Sequence, residues 1–199
     1  MSRAPLDRYD TPAFAVAELL KHVPELRGGR LFDPCSGGGE MAAALASRFG
    51  HVFTNDVDPT TPAQTHFDLR RRGLWEMARP DWTVTNPPFC LLGEVLRLAL
   101  DYSKGVALLL RLSAVEVCEG REYLAVYPPA RQIVLPRIRF RGNGTDSVTC
   151  CWFLWPPVGQ QLSGSPIVCI GKPIRTRKTK KPRRLRLDDA VGVGLEVTP

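Results

Sequence analysis

Four consecutive residues, Asn86-Pro87-Pro88-Phe89, combine groups that could bind and orient an amine. Two successive prolines fix two φ angles and remove two N–H donors, so the turn is stiff and leaves carbonyl oxygens free as acceptors. Asn86 adds a side-chain acceptor, and Phe89 adds an aromatic face. Such a turn suits a substrate that carries an amino group on a flat ring.

The chemistry that this turn favours is transfer of a methyl group to the amine. An arylamine nitrogen is a weak nucleophile because its lone pair is delocalised into the ring. Acceptors at Asn86 Oδ1 and the Pro87 carbonyl can hold the two N–H bonds and leave the lone pair aimed at a methyl donor, and preorganised acceptors of this kind lower the barrier. Phe89 can stack on a base extruded from its helix, which offsets part of the cost of flipping. The predicted catalytic residues are Asn86, Pro87, Pro88 and Phe89.

A glycine-rich turn stands earlier in the chain, between a predicted strand and a predicted helix. Asp33-Pro34-Cys35-Ser36-Gly37-Gly38-Gly39 follows an apolar run, and the helix should begin at about Glu40. Glycines permit positive φ angles and let the main chain approach a ligand closely. The next predicted strand ends at Asp56, where an acid in a nucleoside-binding α/β unit accepts hydrogen bonds from ribose hydroxyls. A phosphate-binding Walker loop is excluded, because no Gly-Lys-Ser/Thr follows the glycines.

The elements that must position these residues alternate between strands and helices. Thr11 and Pro12 indicate the start of a first helix, with Thr11 as N-cap and Pro12 at the first helical position. The later segments, strand-like or helical in turn, are 30–32, 40–49, 51–55, 82–85, 91–102 and 105–112. This alternation predicts an α/β fold with a mostly parallel sheet and helices on both faces. Two further strand-like runs, 132–136 and 149–155, have only a turn-rich segment between them, which predicts that the sheet ends in an antiparallel hairpin.

Length and composition predict one compact domain. The chain has 199 residues, of which 44% are hydrophobic, and no apolar run approaches the roughly 20 residues that a membrane helix needs. We therefore expect a cytoplasmic protein with no membrane association. The six cysteines and three histidines do not stand at metal-ligand spacing, so we expect free thiols and no metal.

The net charge of +7 is concentrated at the end of the chain. Residues 172–199 hold nine Lys/Arg against three Asp/Glu, and a cationic run of this density favours a polyanionic partner. We divide the chain into a catalytic domain over 1–171 and a basic tail over 172–199. The predicted nucleic-acid-binding residues are Arg137, Arg139, Arg175, Arg177, Lys178, Lys180, Lys181, Arg183 and Arg184, with Arg141 as a further phosphate contact.

The two motifs resemble those of the S-adenosylmethionine-dependent amino-methyltransferases, which act on adenine N6, cytosine N4 or, in a related branch, glutamine side chains. Asp33 to Gly39 is similar to the D-P-x-x-G-x-G cofactor loop of that family, and Asn86-Pro87-Pro88-Phe89 is similar to its (D/N)-P-P-(Y/F/W) catalytic motif. The order of the motifs resembles the gamma arrangement of DNA adenine methyltransferases, and the brevity of the chain is similar to that of small phage and prophage enzymes. The resemblance covers about residues 9–155.

The resemblance implies a Rossmann-like class I methyltransferase fold, with seven strands and an antiparallel last strand. It also implies S-adenosyl-L-methionine as cofactor. The residues expected to bind this cofactor are Tyr9, Thr11, Pro12, Asp33, Pro34, Cys35, Gly37, Gly39, Asp56, Val57, Asp68 and Asn86. In the family, the Thr-Pro pair lies near the methionine end of the cofactor, and a residue placed like Asp68 lies near its adenine.

The expected activity is transfer of a methyl group to adenine N6 in DNA, directly to a flipped base. An RNA adenine-N6 methyltransferase is the alternative, since motif and charge suit both polymers, and cytosine N4 stays open as the target. A protein-glutamine methyltransferase would share the Asn-Pro-Pro chemistry but would gain nothing obvious from a cationic tail. An inactive nucleic-acid-binding module would be expected to have lost Asp33, Asp56 or Asn86, and all three are present.

Overall fold

The computed structural model describes residues 10–115, 118–139 and 147–171. The helices are α1 (Ala13–His22), α2 (Glu40–Leu45), α3 (Arg72–Ala78), α4 (Leu92–Tyr102) and α5 (Cys118–Val126). The strands are β1 (Arg30–Asp33), β2 (His51–Thr54), β3 (Trp82–Thr85), β4 (Gly105–Arg111), β5 (Arg131–Val134), β6 (Ile138–Arg139), β7 (Ser147–Val148), β8 (Cys150–Trp155) and β9 (Ile167–Cys169).

Seven of the strands form one sheet in the order β2-β1-β3-β4-β8-β5-β9. Strands β1 to β4 are parallel, β8 is antiparallel to both of its neighbours, and β9 is parallel to β5. The predicted α/β class, the mostly parallel sheet and the antiparallel pair near its end are therefore confirmed. The antiparallel strand is not the last one, because β9, which the sequence did not predict, adds a short edge strand.

The sheet is covered on both faces, as the alternation of elements predicted. The side chains of β4 alternate: Ala107 and Leu109 pack with α1 and α2, whereas Leu108 and Leu110 pack with α3 and α4. Cys150 and Cys151 divide between the same two faces, as the alternation of side chains along a strand requires.

Two predicted helix boundaries differ from the structure. The N-cap of α1 is Pro12 rather than Thr11, and no side chain caps this helix. Proline has a φ angle suited to either position, so the sequence did not distinguish them. The helix predicted over 40–49 ends at Leu45 and continues as a 3-10 turn over Ala46–Arg48. No described helix is long and apolar enough to cross a membrane.

The fold brings the two predicted functional turns to one edge of the sheet. Strands β1, β3, β4 and β5 all run in the same direction, so their carboxyl ends lie along a common edge. Ligands of open α/β sheets bind in the crevice outside this edge. Both the glycine turn after β1 and the Asn-Pro-Pro turn after β3 lie there.

Candidate functional site

The turn after β1 is a tight backbone loop that glycine conformation makes possible. Gly37 and Gly39 have φ angles of 52° and 88°, which side chains other than glycine rarely adopt. The Gly39 N–H donates to the Ser36 carbonyl at 2.8 Å, and the Ser36 N–H donates to the Asn55 carbonyl at 3.0 Å. The loop is thus closed on itself and joined to the end of β2.

Asp56, two residues after the end of β2, is held against the glycine loop by hydrogen bonds from two backbone N–H groups. Its Oδ2 accepts from the Gly37 N–H at 2.8 Å, and its Oδ1 accepts from the Asp58 N–H at 2.9 Å. A carboxylate has about four acceptor positions, so these bonds fix the orientation of Asp56 and leave capacity for hydroxyl donors. Asp56 could therefore accept hydrogen bonds from the hydroxyl groups of a ribose.

A pocket opens between the glycine loop, the Asp56 segment and the Asn-Pro-Pro turn. It is lined by Asp10, Thr11, Pro34, Cys35, Ser36, Gly37, Glu40, Met41, Asp56, Val57, Asp58, Phe67, Asp68, Leu69, Arg70, Asn86, Pro88 and Leu91. The residues that the sequence predicted and the structure brings together here are Thr11, Pro34, Cys35, Gly37, Asp56, Val57, Asp68, Asn86 and Pro88. Pro12, Asp33, Gly39, Pro87 and Phe89 are not among the lining residues, and Tyr9 lies outside the described residues.

Asp33 lies beneath the loop rather than in the pocket. Its carboxyl is fully buried, and its Oδ1 accepts from the Thr85 hydroxyl at 2.8 Å and from the Cys35 N–H at 3.3 Å. Burial raises the pKa of Asp33 from 3.8 to about 7, against the opposing effect of these hydrogen bonds and with a further increase from the charge of Asp56. The side chain therefore links the ends of β1 and β3, from which the two functional turns emerge.

Asn55 is a positioning residue that the sequence analysis missed. Its buried amide makes four hydrogen bonds: Nδ2 donates to the carbonyls of Pro34 and Phe67, and Oδ1 accepts from the Thr65 hydroxyl and the Phe67 N–H, at 2.9 to 3.1 Å. All donor and acceptor positions of the amide are thus used. The bonds fasten the glycine loop to the segment that carries Phe67 and Asp68.

That segment contributes an aromatic ring and an ion pair to the pocket. Phe67 is 37% exposed although it is a large apolar side chain, and the Arg71 guanidinium lies 4.7 Å from its ring centroid. The Arg70 guanidinium donates to both carboxylate oxygens of Asp68 and, chiefly through these bonds, lowers the pKa of Asp68 to about 2. Asp68 is therefore ionised and fixed in orientation, and Phe67 offers a surface for a flat ligand.

The Ser36 hydroxyl is a second feature that sequence reasoning did not single out. Ser36 lines the pocket and is 7% exposed. Within the described part of the chain, no residue makes a hydrogen bond to its Oγ. A buried hydroxyl without a partner is unfavourable by about 1–3 kcal/mol, so a ligand or solvent molecule in the pocket is its expected partner.

The charge of the pocket is predominantly negative. The acidic residues of the lining are Asp10, Glu40, Asp56, Asp58 and Asp68. The basic residue among the lining side chains is Arg70, and its charge is paired with that of Asp68. The resulting field favours a cationic ligand.

The Asn-Pro-Pro-Phe turn divides its residues between the pocket and a neighbouring surface. Asn86 and Pro88 line the pocket, whereas Pro87 is buried between them. Phe89 begins a 3-10 turn (Phe89–Leu91) that leads into α4. The Arg111 guanidinium lies 4.4 Å from the centroid of the Phe89 ring. One face of the ring that was expected to stack on a base is therefore covered by a cation.

The predicted nucleic-acid-binding residues are only partly within the described structure. Arg137 is exposed and follows β5 at the same edge of the sheet as the pocket. Arg139 lies on β6, which pairs with β7 in a two-stranded hairpin. Arg141 and the predicted residues of the tail, from Arg175 to Arg184, lie outside the described residues.

Several solved structures resemble this one, although no family model and no curated protein matches the sequence. A Pyrococcus horikoshii protein assigned as an RNA methyltransferase matches with a TM-score of 0.60 and 16% identity, over 78% of this chain and 92% of that one. A Listeria monocytogenes protein assigned as a class I S-adenosylmethionine-dependent methyltransferase matches with a TM-score of 0.56 and 12% identity, over 82% and 66%. The M protein of the type I restriction enzyme EcoKI matches with a TM-score of 0.54 and 12% identity, over 74% and 44%.

Structural similarity at 12–16% sequence identity shows the fold alone. The chain has the Rossmann-like fold of class I methyltransferases, which confirms the predicted fold class. It spans less than half of the EcoKI M protein and about two thirds of the Listeria protein.

Proposed function

We propose that this chain is an S-adenosylmethionine-dependent methyltransferase that methylates an exocyclic amino group of nucleic acid, with adenine N6 in DNA as the preferred target. The observation that carries the proposal is that Asn86 lines the same pocket as Gly37 and Asp56. A nucleoside-binding loop and an amine-binding side chain must share one cavity if a methyl group is to pass from a cofactor on the loop to an amine held by the side chain. A module that only binds nucleic acid has no such requirement.

The pocket fits the proposed cofactor in charge and in hydrogen-bonding groups. S-adenosylmethionine carries a sulfonium and an ammonium group, and the acidic lining favours both. Asp56 has acceptor capacity for the ribose hydroxyls, and the Ser36 hydroxyl can bond to a polar group of the ligand. Phe67 and Val57 provide apolar surface for the adenine, beside the fixed carboxylate of Asp68.

Residues outside the pocket would act on the cofactor indirectly. Asp33 holds Thr85 and the Cys35 N–H beneath the loop, and Gly39 provides the left-handed residue from which α2 begins. The proposed cofactor residues therefore comprise ligand contacts, such as Gly37 and Asp56, and residues that shape the loop from behind.

The chain's part in the reaction is to orient the amine. When bound, the cofactor supplies an electrophilic methyl group on its sulfonium. Asn86 Oδ1 and the Pro87 carbonyl would each accept a hydrogen bond from one N–H group of the target, and these bonds would strengthen as the nitrogen becomes more pyramidal and more positive. With its N–H groups held in this way, the nitrogen would direct its lone pair towards the methyl group that the cofactor supplies, and the proton displaced from the nitrogen would go to water.

Two observations support nucleic acid over protein as the substrate. Structures of the same fold include one assigned as an RNA methyltransferase and the M protein of a restriction enzyme. The tail over 172–199 adds nine cations, which suits phosphates better than a glutamine side chain. RNA adenine is the second candidate, and the Pyrococcus likeness is the observation in its favour.

The test is transfer of labelled methyl from S-adenosylmethionine to matched pools of DNA, RNA and protein, followed by nucleoside and amino-acid analysis. We expect label in N6-methyladenine from DNA, and Asn86→Ala should remove it. Label in RNA, in N4-methylcytosine or in methylglutamine would replace the proposed substrate by the corresponding alternative. No transfer to any pool, with no cofactor binding by calorimetry, would overturn the enzyme assignment.

A further inference from the structure

A second cavity, distinct from the cofactor pocket, lies between α4 and α5. It is a groove of about 520 Å³ that begins directly after the Asn-Pro-Pro-Phe turn, at Cys90. Its lining includes two tyrosines, Tyr123 and Tyr127, and two carboxylates, Glu94 and Glu122. Neither of the two sequence motifs contains any of these residues.

The packing of α5 against α4 places the tyrosine rings in this groove. Gly93 has no Cβ, and a Cβ there would lie 2.2 Å from Cε2 of Tyr123, so the ring fits directly against α4. The Trp155 Nε1–H donates to the Tyr127 carbonyl at 3.0 Å and fastens the residue after α5 to the end of β8. Tyr127 is nevertheless 41% exposed and Val126 67% exposed, so this side of the groove is an uncovered apolar surface.

The charge of the groove is negative. Among the described residues, no cation forms an ion pair with Glu94 or Glu122. Arg70 interacts electrostatically with Glu94, but its guanidinium is bonded to Asp68. Carboxylates beside tyrosine rings suit a ligand with Arg or Lys side chains, because such a side chain can pair with a carboxylate and rest on an aromatic face.

The chain itself supplies a ligand of this kind. Residues 172–186, which lie outside the described residues, hold nine Lys/Arg and no Asp/Glu. They follow Gly171, two residues after the end of β9. Strands β9 and β4 are three positions apart in the sheet, which is about 14 Å at about 4.8 Å per strand, whereas ten residues of extended chain span about 33 Å. The cations from Lys178 onwards can therefore reach the groove.

We propose that the groove between α4 and α5 is an intramolecular docking surface for the basic tail, whose Arg or Lys side chains pair with the two carboxylates and rest on the tyrosine rings. The inference does not depend on the proposed methyl transfer, because it needs only the groove and the charges. Two carboxylates pair with two of the nine cations, so the other cations would lie beside the Asn-Pro-Pro-Phe turn without a partner in the groove. A docked tail would thus bring positive charge to this turn, which the acidic cofactor pocket does not supply.

The test uses the full chain and its native thiols. A short amine-to-thiol cross-linker is added, and mass spectrometry identifies the tail lysines that become joined to Cys90 in the groove. Cys90 and Cys169 are both exposed, and Cys169, three residues before the tail, is the internal reference for the reactivity of the lysines. The variants are Glu94→Gln together with Glu122→Gln, and the control Glu76→Gln, which removes an exposed carboxylate from α3.

We expect the tail lysines to couple to Cys90, and we expect the double variant to reduce this coupling about 3-fold or more, as the loss of two exposed ion pairs does. Salt at about 0.5 M should reduce the same coupling in the unchanged protein, because exposed charges are screened at that ionic strength. Coupling to Cys169 should stay constant throughout, and Glu76→Gln should match the unchanged protein.

Three outcomes would overturn the proposal. Coupling to Cys90 that neither salt nor the double variant reduces would show that the tail meets the groove only by chance. Coupling to Cys169 with none to Cys90 would show that the tail does not dock in the groove. In an equal mixture of isotope-labelled and unlabelled chains, products that join a labelled chain to an unlabelled one would assign the groove to the tail of a second copy. The salt comparison uses only the unchanged protein, so it decides the question even if the double variant does not fold.

Discussion

Asn86 and Asp33 show how two polar residues at neighbouring strand ends can serve one site in different ways. Asn86 lines the pocket and can touch a ligand, whereas Asp33 is buried under the loop and does not line the pocket. The sequence predicted contact with the cofactor for both, because a motif gives the spacing of residues but not the direction of a side chain. The difference in burial thus distinguishes a residue that can contact a ligand from one that supports the loop.

Replacing Asn86 by alanine should reduce the rate of methyl transfer at saturating cofactor by at least about 100-fold, the usual cost of removing one preorganised hydrogen-bonding group. Cofactor affinity, measured by calorimetry, should stay nearly unchanged. Asn86→Asp keeps an acceptor oxygen and should retain part of the activity. Lost cofactor affinity combined with normal turnover would contradict the assignment.

Replacing Asp33 by asparagine should change how stability depends on pH. The carboxyl has a pKa of about 7 in the folded chain against the usual 3.8, so the folded state holds its proton more tightly than the unfolded state. The stabilisation of the unchanged protein is therefore complete below about pH 4 and is lost as the pH rises towards 7. Asp33→Asn should remove this decline, as measured by denaturant unfolding across the range. Identical pH profiles for the two proteins would show that Asp33 ionises normally.

Among the elements, strands and turns with strong local signals were predictable, and elements set by long-range contacts were not. The glycine loop, β3, β4 and β8 follow from apolar runs bounded by turn residues. Asn55 was missed because its function depends on the segment from Thr65 to Phe67 folding back over it, which no local pattern indicates. Strand β9 has only three residues and pairs with β5 across a separation of more than thirty positions, so tertiary context decides its conformation.

Replacing Asn55 by alanine should loosen the attachment of the glycine loop to the Phe67 segment. The buried partners lose four hydrogen bonds, and we expect a loss of about 3 kcal/mol in the free energy of unfolding together with weaker cofactor binding. Thr83→Val is the matched control, because it removes from the same sheet a buried hydroxyl that bonds to Ser103, the residue after α4. If both variants weaken cofactor binding equally, the cause is general destabilisation and not the lost attachment of the glycine loop to the Phe67 segment.

At the scale of the whole molecule, the site depends on a separation of charge. The pocket is acidic, nine of the 27 Lys/Arg residues stand in the tail, and Arg111 and Arg137 follow the carboxyl ends of β4 and β5. A small cationic ligand and a long anionic polymer can therefore approach the same edge without competing for the same groups.

Deleting residues 172–199 should weaken nucleic acid binding and flatten its salt dependence, by about 0.7–0.9 in the slope for each phosphate that the protein no longer neutralises. Cofactor affinity and the unfolding of the remaining domain should change little. Binding measured at several salt concentrations checks this expectation. An unchanged slope would remove the tail from substrate binding and leave the described arginines as its source.

The direction of β9 decides where the tail starts. Because β9 is parallel to β5, with Cys169 opposite Val134 and the Ile170 N–H bonded to the Val134 carbonyl, the chain leaves the sheet at the edge where the pocket opens. An antiparallel strand would have released it on the far side. A basic segment attached at this point would start on the same side of the sheet as the pocket, and its effective concentration there would not depend on how dilute the protein is. A three-residue strand thus decides on which side of the sheet the basic segment begins.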